Sequence, residues 1–275
     1  MRYFGLQNEV KNYLNRLQRE TSVVVTPAAA KTLNDRVESL KKAGTWSQYS
    51  LGFNDVDGDV YLTRASVTDL IGRAEVLWFI RGMKALGLYQ NMVAWPMRSY
   101  QNAGTGSTVY SLGGLGIYNG NMVNSPAWGR DGINLLAGQY ISTTAGATQP
   151  DVIFCSHKVV GNDIVYDGSQ RQHIYIQGGT IRPYAGLDPG FTTTTNNFET
   201  YQVLFSGANS LVSLNGAAAV PKNLGTNNLT SLTFGRNNIN NIGGITTFTI
   251  IIQKPSVGSL HTLYKSTLGS NLSLP

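Results

Sequence analysis

Paired carboxylates are the first chemistry to look for in the second half of the chain, because hydrolysis of a glycosidic bond uses two of them, about 5–5.5 Å apart in retaining enzymes. Residues 111–275 contain a single glutamate, Glu199, and five aspartates, none of them two or four positions from it. Asp163 and Asp167 flank a short predicted strand, and the apolar pair between them is typical of buried packing. Both aspartates are therefore predicted to occupy structural turns, and the sequence argues against a glycoside hydrolase.

The single cysteine could serve as a nucleophile only with a base beside it. Cys155 stands two residues from His157 in an apolar strand, which places both side chains on one face. No third residue type nearby would orient the histidine, so we predict a buried structural cysteine and no enzyme activity. One cysteine and three histidines also exclude an internal disulfide and argue against zinc and iron–sulfur sites, so no cofactor is expected.

An acidic run at residues 54–59 invites a calcium interpretation. Its glycine comes too early for an EF-hand loop, and Ser66 stands where the bidentate glutamate would be. The preferred interpretation is a solvated turn that joins strands at 49–53 and 60–63 in a β-hairpin. Calcium bound by Asp55, Asp57 and Asp59 is the alternative.

Ligand contact is predicted for one loop of the second half. Residues 178–197 are rich in glycine and threonine and contain four side chains suited to surface recognition: Arg182, Tyr184, Asp188 and Phe191. Loops carry binding residues more often than strands do. The alternative is that Tyr184 and Phe191 only cover one end of the domain.

The distribution of charge divides the chain into parts. Residues 1–110 carry 13 Lys/Arg and 9 Asp/Glu, against 8 and 6 in residues 111–275. We predict a helical attachment or oligomerisation domain at 1–100, a glycine-rich linker or wrap at 101–138, and a β-sandwich at 139–275. The net charge of +6 is small, and the longest run of basic residues in the chain is two, so no nucleic-acid partner is expected.

The first part has helical periodicity. Thr26 and Pro27 suit the start of a helix, whose apolar stripe is Leu33, Val37 and Leu40. This stripe is interpreted either as one side of an intramolecular helix pair or as an assembly surface for another subunit. A third helix is predicted to begin near residue 66 or 68 and to end near Gly87.

The second part has the short alternating segments of a mainly β protein. Nine strands are predicted, at 139–143, 151–157, 164–166, 173–177, 180–184, 200–206, 210–214, 231–234 and 245–252. Turn sequences such as Gly178-Gly179 and Asn215-Gly216 separate them. The fold class is therefore predicted as an antiparallel β-sandwich or jelly roll that follows a small helical domain.

An ordered set of segments within residues 199–268 resembles the closing half of a concanavalin A-like, laminin G-like domain. The set comprises Gln202-Val203-Leu204-Phe205, Ser210-Leu211-Val212-Ser213-Leu214-Asn215-Gly216, Leu232-Thr233-Phe234-Gly235-Arg236, the strand at 245–252 and a short helix at 259–266. The resemblance implies a two-sheet jelly roll used for glycan binding, protein contacts or display on a virion. Catalysts of that family carry Glu-x-Asp-x-x-Glu on one strand, a motif that this sequence lacks.

The segment Phe79–Tyr89, followed by a glycine-rich crossing, more loosely resembles helical parts of minor structural proteins of tailed bacteriophages. This resemblance implies a non-enzymatic virion component: a tail or head appendage, or a capsid decoration protein. Its N-terminal part would anchor to other virion proteins, as a homo-oligomer and plausibly a trimer, and its jelly roll would face outward toward a host-surface glycan or other subunits. A lectin-like carbohydrate-binding module is the alternative, and a glycoside hydrolase comes third.

The expected location of the protein follows from two kinds of segment that the sequence lacks. Residues 2–20 are charged and amphipathic, without the apolar stretch of a signal peptide. No apolar run approaches the length of a membrane span. The expected location is a virion made in the host cytoplasm, without membrane insertion.

Overall fold

The computed structural model describes residues 55–143, 151–159, 163–168, 172–195, 197–228, 232–235, 244–254 and 260–275. The chain separates into two compact units, Met1–Val56 and Asp57–Pro275. The second unit contains the fold described below. The predicted N-terminal helices and the stripe Leu33, Val37 and Leu40 lie outside the described residues.

Three α-helices and sixteen strands make up the described part of the chain. The helices are α1 (Val56–Arg64), α2 (Leu70–Ala85) and α3 (Leu260–Ser266), with 3₁₀ turns at Tyr89–Asn91, Gln101–Gly104 and Gly207–Asn209. The strands are β1 (Met92–Pro96), β2 (Thr108–Val109), β3 (Gly120–Val123), β4 (Ala127–Trp128), β5 (Ile133–Leu135), β6 (Tyr140–Thr143), β7 (Val152–Val159), β8 (Asp163–Gly168), β9 (Gln172–Gln177), β10 (Thr180–Tyr184), β11 (Thr192–Thr193), β12 (Phe198–Leu204), β13 (Ser210–Leu214), β14 (Val220–Lys222), β15 (Leu232–Phe234) and β16 (Gly244–Ile252).

The strands form two antiparallel sheets. Sheet A has the order β14-β13-β12-β7-β16-β5-β4, and β1 also pairs with β16. Sheet B has the order β11-β10-β9-β8-β15-β6-β3-β2. Buried side chains from both sheets form one core, in which Trp95 of sheet A meets Phe234 of sheet B edge to face at 5.3 Å. The predicted β-sandwich is confirmed, and each of the nine predicted strands is present.

The acidic run does not form the predicted hairpin. Residues 60–63, expected as a strand, lie in α1, and residues 49–53 lie outside the described part. Asp57 and Asp59 stand in the first turn of that helix, where the partial positive charge of the helix N-terminus stabilises carboxylates. Tyr61 and Leu62 are buried, so helical packing outweighs the turn preference of the preceding polar residues.

The segment 101–138 also differs from the predicted linker. It supplies β2 and β3 to sheet B and β4 and β5 to sheet A, and the sandwich already begins with β1. Its glycines permit close packing: a Cβ at Gly113 would collide with the carbonyl of Met92, and one at Gly132 with the carbonyl of Thr246. Glycine here therefore marks tight backbone contacts as well as chain flexibility.

Helices cover the outer face of sheet A. Phe79 of α2 meets Phe248 at 5.2 Å, and Tyr264 of α3 stacks on the same ring at 4.9 Å. The fully buried Arg98 fixes the end of the chain by donating to the carbonyl of Leu268 at 2.5 Å and to the Tyr264 hydroxyl at 3.3 Å. No helix of the described chain is long and apolar enough to cross a bilayer.

Candidate functional site

The outer face of sheet B presents a block of four polar and aromatic side chains from β9 and β10. In β9 the residues alternate, so Ile174 and Ile176 enter the core while His173 and Tyr175 face outward. In β10 the same alternation turns Arg182 and Tyr184 outward. The register places Tyr184 directly opposite His173, and Arg182 opposite Tyr175.

A two-residue turn sets this register. Gly178 and Gly179 join the strands with φ angles of 56° and 73°, the left-handed conformation that a type I′ hairpin turn requires. Because side chains alternate with a period of two, a slip of one residue would send the block into the core. The Gly-Gly pair thus determines which side chains reach the surface.

Three rings of the block contact one another. The rings of His173 and Tyr184 stack with centroids 4.5 Å apart and planes 10° apart. Tyr175 meets His173 edge to face, with ring centroids 4.9 Å apart. We call His173, Tyr175, Arg182 and Tyr184, together with Asp188, the aromatic platform.

Asp188 joins the platform from the loop after β10. Its Oδ2 accepts hydrogen bonds from the Tyr175 hydroxyl at 2.6 Å and from Arg182 Nη1 at 2.7 Å. Its Oδ1 accepts a longer bond, at 3.2 Å, from the backbone N–H of Gly190. The side chains of Arg182 and Asp188 remain 31% and 26% exposed, so this ion pair is held in place and still open to solvent.

The pKa shifts describe a preorganised site. Burial raises the pKa of Asp188, but the hydrogen bonds from Tyr175, Arg182 and Gly190 outweigh burial and hold it below its usual value. Burial and the bond to Asp188 raise the pKa of Tyr175 to about 12, so its hydroxyl stays a donor. Burial lowers the pKa of His173 to about 4, against a smaller opposing effect of Asp188. At neutral pH the platform has one positive and one negative charge and an uncharged imidazole.

The structure brings together three of the four predicted contact residues, Arg182, Tyr184 and Asp188. Phe191 is different: its half-buried ring packs against the core between the sheets. Sequence reasoning missed His173 and Tyr175 as surface residues. Their alternation with two isoleucines and the Gly-Gly turn were both visible in the sequence, and together they predict the cross-strand block.

Glu199 is placed in the core. It is fully buried, and its carboxylate accepts bonds from Thr194 Oγ1, from the Thr195 backbone and hydroxyl, and from the Tyr201 hydroxyl, at 2.6, 3.0, 3.0 and 2.8 Å. Four donors from its own strand and the preceding loop make it a structural anchor.

The other candidate chemical groups are also placed in strands. Cys155 and His157 are fully buried in β7, and burial raises the pKa of the Cys155 thiol to about 12. Asp163 and Asp167 lie within β8 and not in the predicted turns, because pairing with β9 extends that strand in both directions. A reactive thiolate is therefore disfavoured at Cys155.

The calcium interpretation finds no support in the described part of the chain. Asp57 forms an ion pair with Lys84 Nζ at 2.5 Å across two helices. Among the residues that the structure describes, no cluster of three or more His, Cys, Asp or Glu side chains could hold a metal ion.

Comparison with known proteins gives likeness in structure only. No model of a known protein family matches the sequence, and no curated protein matches it. Among solved structures, the chain is similar to Trypanosoma rangeli sialidase in complex with sialic acid, with a TM-score of 0.48 and 8% identity over 66% of this chain and 33% of the sialidase.

Two further structures are similar over part of the chain. The ligand binding domain of botulinum neurotoxin serotype D in complex with N-acetylneuraminic acid has a TM-score of 0.44 and 12% identity over 62% of this chain and 50% of that one. Domain 4 of a GH43 arabinanase from Geobacillus stearothermophilus, in complex with arabinotriose, has a TM-score of 0.33 and 11% identity over 64% and 87% of the two chains.

Proposed function

We propose that the unit formed by residues 57–275 is a non-catalytic carbohydrate-binding module whose ligand lies on the aromatic platform. The observation that carries this proposal is the stacked pair His173–Tyr184 beside the ordered Arg182–Asp188 ion pair on the outer face of sheet B. An aromatic surface next to fixed polar groups suits a ligand with one apolar face and a rim of hydroxyl groups.

The chemistry of each side chain in the platform suggests its role in binding the sugar. The C–H face of a pyranose ring would lie on Tyr184, whose ring is supported from behind by His173. Asp188 would accept a bond from one sugar hydroxyl and Arg182 would donate to a neighbouring one. Asp188 is already held by Tyr175 and Gly190, and Arg182 is held by Asp188. Because these side chains are ordered before the ligand arrives, less conformational entropy is lost on binding.

A glycan array with the purified protein tests this proposal. Tyr184→Ala removes the stacking surface and should weaken binding of any retained glycan by at least tenfold. The matched control is Tyr140→Ala, which removes a tyrosine from β6 of the same sheet, outside the platform. Equal binding by both variants, or no glycan retained by the unmodified protein, would refute the proposal.

We propose as a second candidate that the module is displayed on a larger particle, as in a tailed-phage appendage or decoration protein. One sequence feature favours it: residues 1–56 carry the predicted apolar stripe Leu33, Val37 and Leu40. Light scattering of the full chain should give an oligomer, a trimer in the simplest case. Leu33→Asp with Leu40→Asp should give a monomer with an unchanged β-rich spectrum; an unaltered oligomer would place assembly elsewhere.

A further inference from the structure

We infer that the platform selects an uncharged sugar with adjacent hydroxyl groups and rejects the corresponding sugar acid. This inference rests on the proposed carbohydrate-binding function and specifies its ligand class. It follows from the balance of charge in the site, from the remaining hydrogen-bond capacity of Asp188 and Arg182, and from the stacked rings beside them.

The charge of the site is already balanced. Arg182 is the cation of the platform, and Asp188 holds it through Nη1 at 2.7 Å. A ligand carboxylate would have to displace Asp188 from Arg182 or bind close to a second negative charge, and either course is unfavourable. A neutral ligand meets neither cost.

The remaining hydrogen-bond capacity matches a pair of hydroxyl groups. A carboxylate has about four acceptor positions, and Asp188 receives two bonds at Oδ2 and one long bond at Oδ1. Arg182 has five N–H donors; Asp188 takes one at Nη1 and the Nε–H is buried, so the remaining Nη donors are the ones that can meet a ligand. A hydroxyl both donates and accepts, so two adjacent hydroxyls can donate to Asp188 and accept from Arg182 without disturbing the ion pair.

The stacked rings add a requirement for a bare C–H face. His173 and Tyr184 stack with their planes 10° apart, so His173 covers one face of the Tyr184 ring and a ligand can use only the opposite face of that ring. A ring sugar with its hydroxyls directed to one side fits this face and the ion pair together. A sugar acid would fit the rings equally well, which leaves the Asp188 charge as the discriminating feature.

The experiment compares pairs of ligands that differ in one group. Methyl glucoside, galactoside and mannoside are titrated by calorimetry at pH 7 beside their uronic acid counterparts, in which a carboxylate replaces the exocyclic CH₂OH group; N-acetylneuraminic acid is included as a separate acidic ligand. The full-length protein should bind at least one neutral glycoside at least tenfold more tightly than its uronate. Tyr184→Ala should abolish that binding and Tyr140→Ala should not.

Asp188→Asn supplies the converse test, because it removes the negative charge and releases the Arg182 guanidinium. Binding of the neutral glycoside should fall about tenfold, while binding of the uronate should rise; circular dichroism checks that the variant is folded. If the unmodified protein binds a uronate or N-acetylneuraminic acid as tightly as the neutral sugars, and Tyr184→Ala abolishes it, the selectivity inference fails and the proposed function stands. If no ligand binds in a Tyr184-dependent way, the proposed function itself fails.

Discussion

Truncation of Glu199 should destabilise the sandwich severely. The carboxylate is fully buried and accepts four hydrogen bonds from Thr194, Thr195 and Tyr201. Glu199→Ala would leave a cavity and remove the carboxylate that accepts the hydrogen bond from the Tyr201 hydroxyl. Since Thr194 and Thr195 follow β11, the same change would also release the loop that leads into β12.

The expected magnitude follows from these contacts. A hydrogen bond to a charged group contributes about 1.5–3 kcal/mol, and a buried donor left without an acceptor costs about 1–3 kcal/mol. Adding all four bonds would overstate the effect, because the threonine groups can turn toward water. We therefore expect Glu199→Ala to lower the free energy of unfolding by about 3–5 kcal/mol, because it both opens a cavity and breaks a buried hydrogen-bond network.

Glu199→Gln is the matched comparison. The side-chain amide of glutamine has nearly the same shape as the carboxylate. Its oxygen can accept from Thr195, and the hydroxyls of Thr194 and Tyr201 can rotate to accept from its NH₂ group. The loss should stay near 1 kcal/mol, as for one weakened hydrogen bond. Urea unfolding followed by circular dichroism gives both values, and hydrogen exchange should show faster opening of residues 192–195 in Glu199→Ala. Equal, small losses in the two variants would refute the role of Glu199 as an anchor.

Three further outcomes are expected. His173 has a pKa of about 4 in the folded protein, below its ordinary 6.5, so on acidification the unfolded chain takes up its proton first. The stability that depends on the neutral imidazole should be fully present above pH 6.5 and should fall by up to about 3 kcal/mol as the pH drops through 4. Screening by water at this half-buried ring reduces that figure. His173→Phe should flatten that part of the pH profile, and an unchanged profile would contradict the assignment. Arg98→Ala should lower the free energy of unfolding by about 3–5 kcal/mol and expose residues 260–275 to proteolysis, because Arg98 is buried and donates to Leu268 and Tyr264. If residues 260–275 stay as resistant to proteolysis as in the unmodified protein, Arg98 does not hold them. Brief trypsin or thermolysin digestion should leave residues 101–138 intact, since they supply strands to both sheets, and rapid cleavage there would show that they do not stay paired.

The sequence allowed the sandwich and nine of the eleven strands from β6 onward to be predicted, because several of those segments alternate with a period of two and are separated by glycine turns. It did not allow β1 to β5, β11 or β14 to be predicted, because β1 is buried at every position and the other six strands are two to four residues long. Such strands are stabilised by their partners in the sheet and carry little pattern of their own. The prediction of a hairpin at 45–65 was wrong for a related reason, because polar residues before an apolar segment are typical both of a turn and of the start of a helix.

The same difference in signal applies to the candidate site. Arg182, Tyr184 and Asp188 stood out because they lie in one loop-rich segment. His173 and Tyr175 belong to the preceding strand, and only the register across the Gly178-Gly179 turn brings them beside the other three. Phe191 lies in a segment whose composition is typical of a surface loop, yet its neighbours in space determine that it packs inward.

The position of β16 has a consequence for how the protein is made. This strand pairs with β7 on one edge and with β5 and β1 on the other, and it joins Met92 to Ile252. A ribosome adding about 5–20 residues per second needs roughly 8–30 s to travel that distance. During this interval three strands of sheet A have an open hydrogen-bonding edge, which is a template for unwanted pairing with other chains. Substitutions in β1 or β5 should therefore reduce the yield of newly synthesised protein, through capture by chaperones or precipitation, well before they lower the melting temperature of the molecules that do fold.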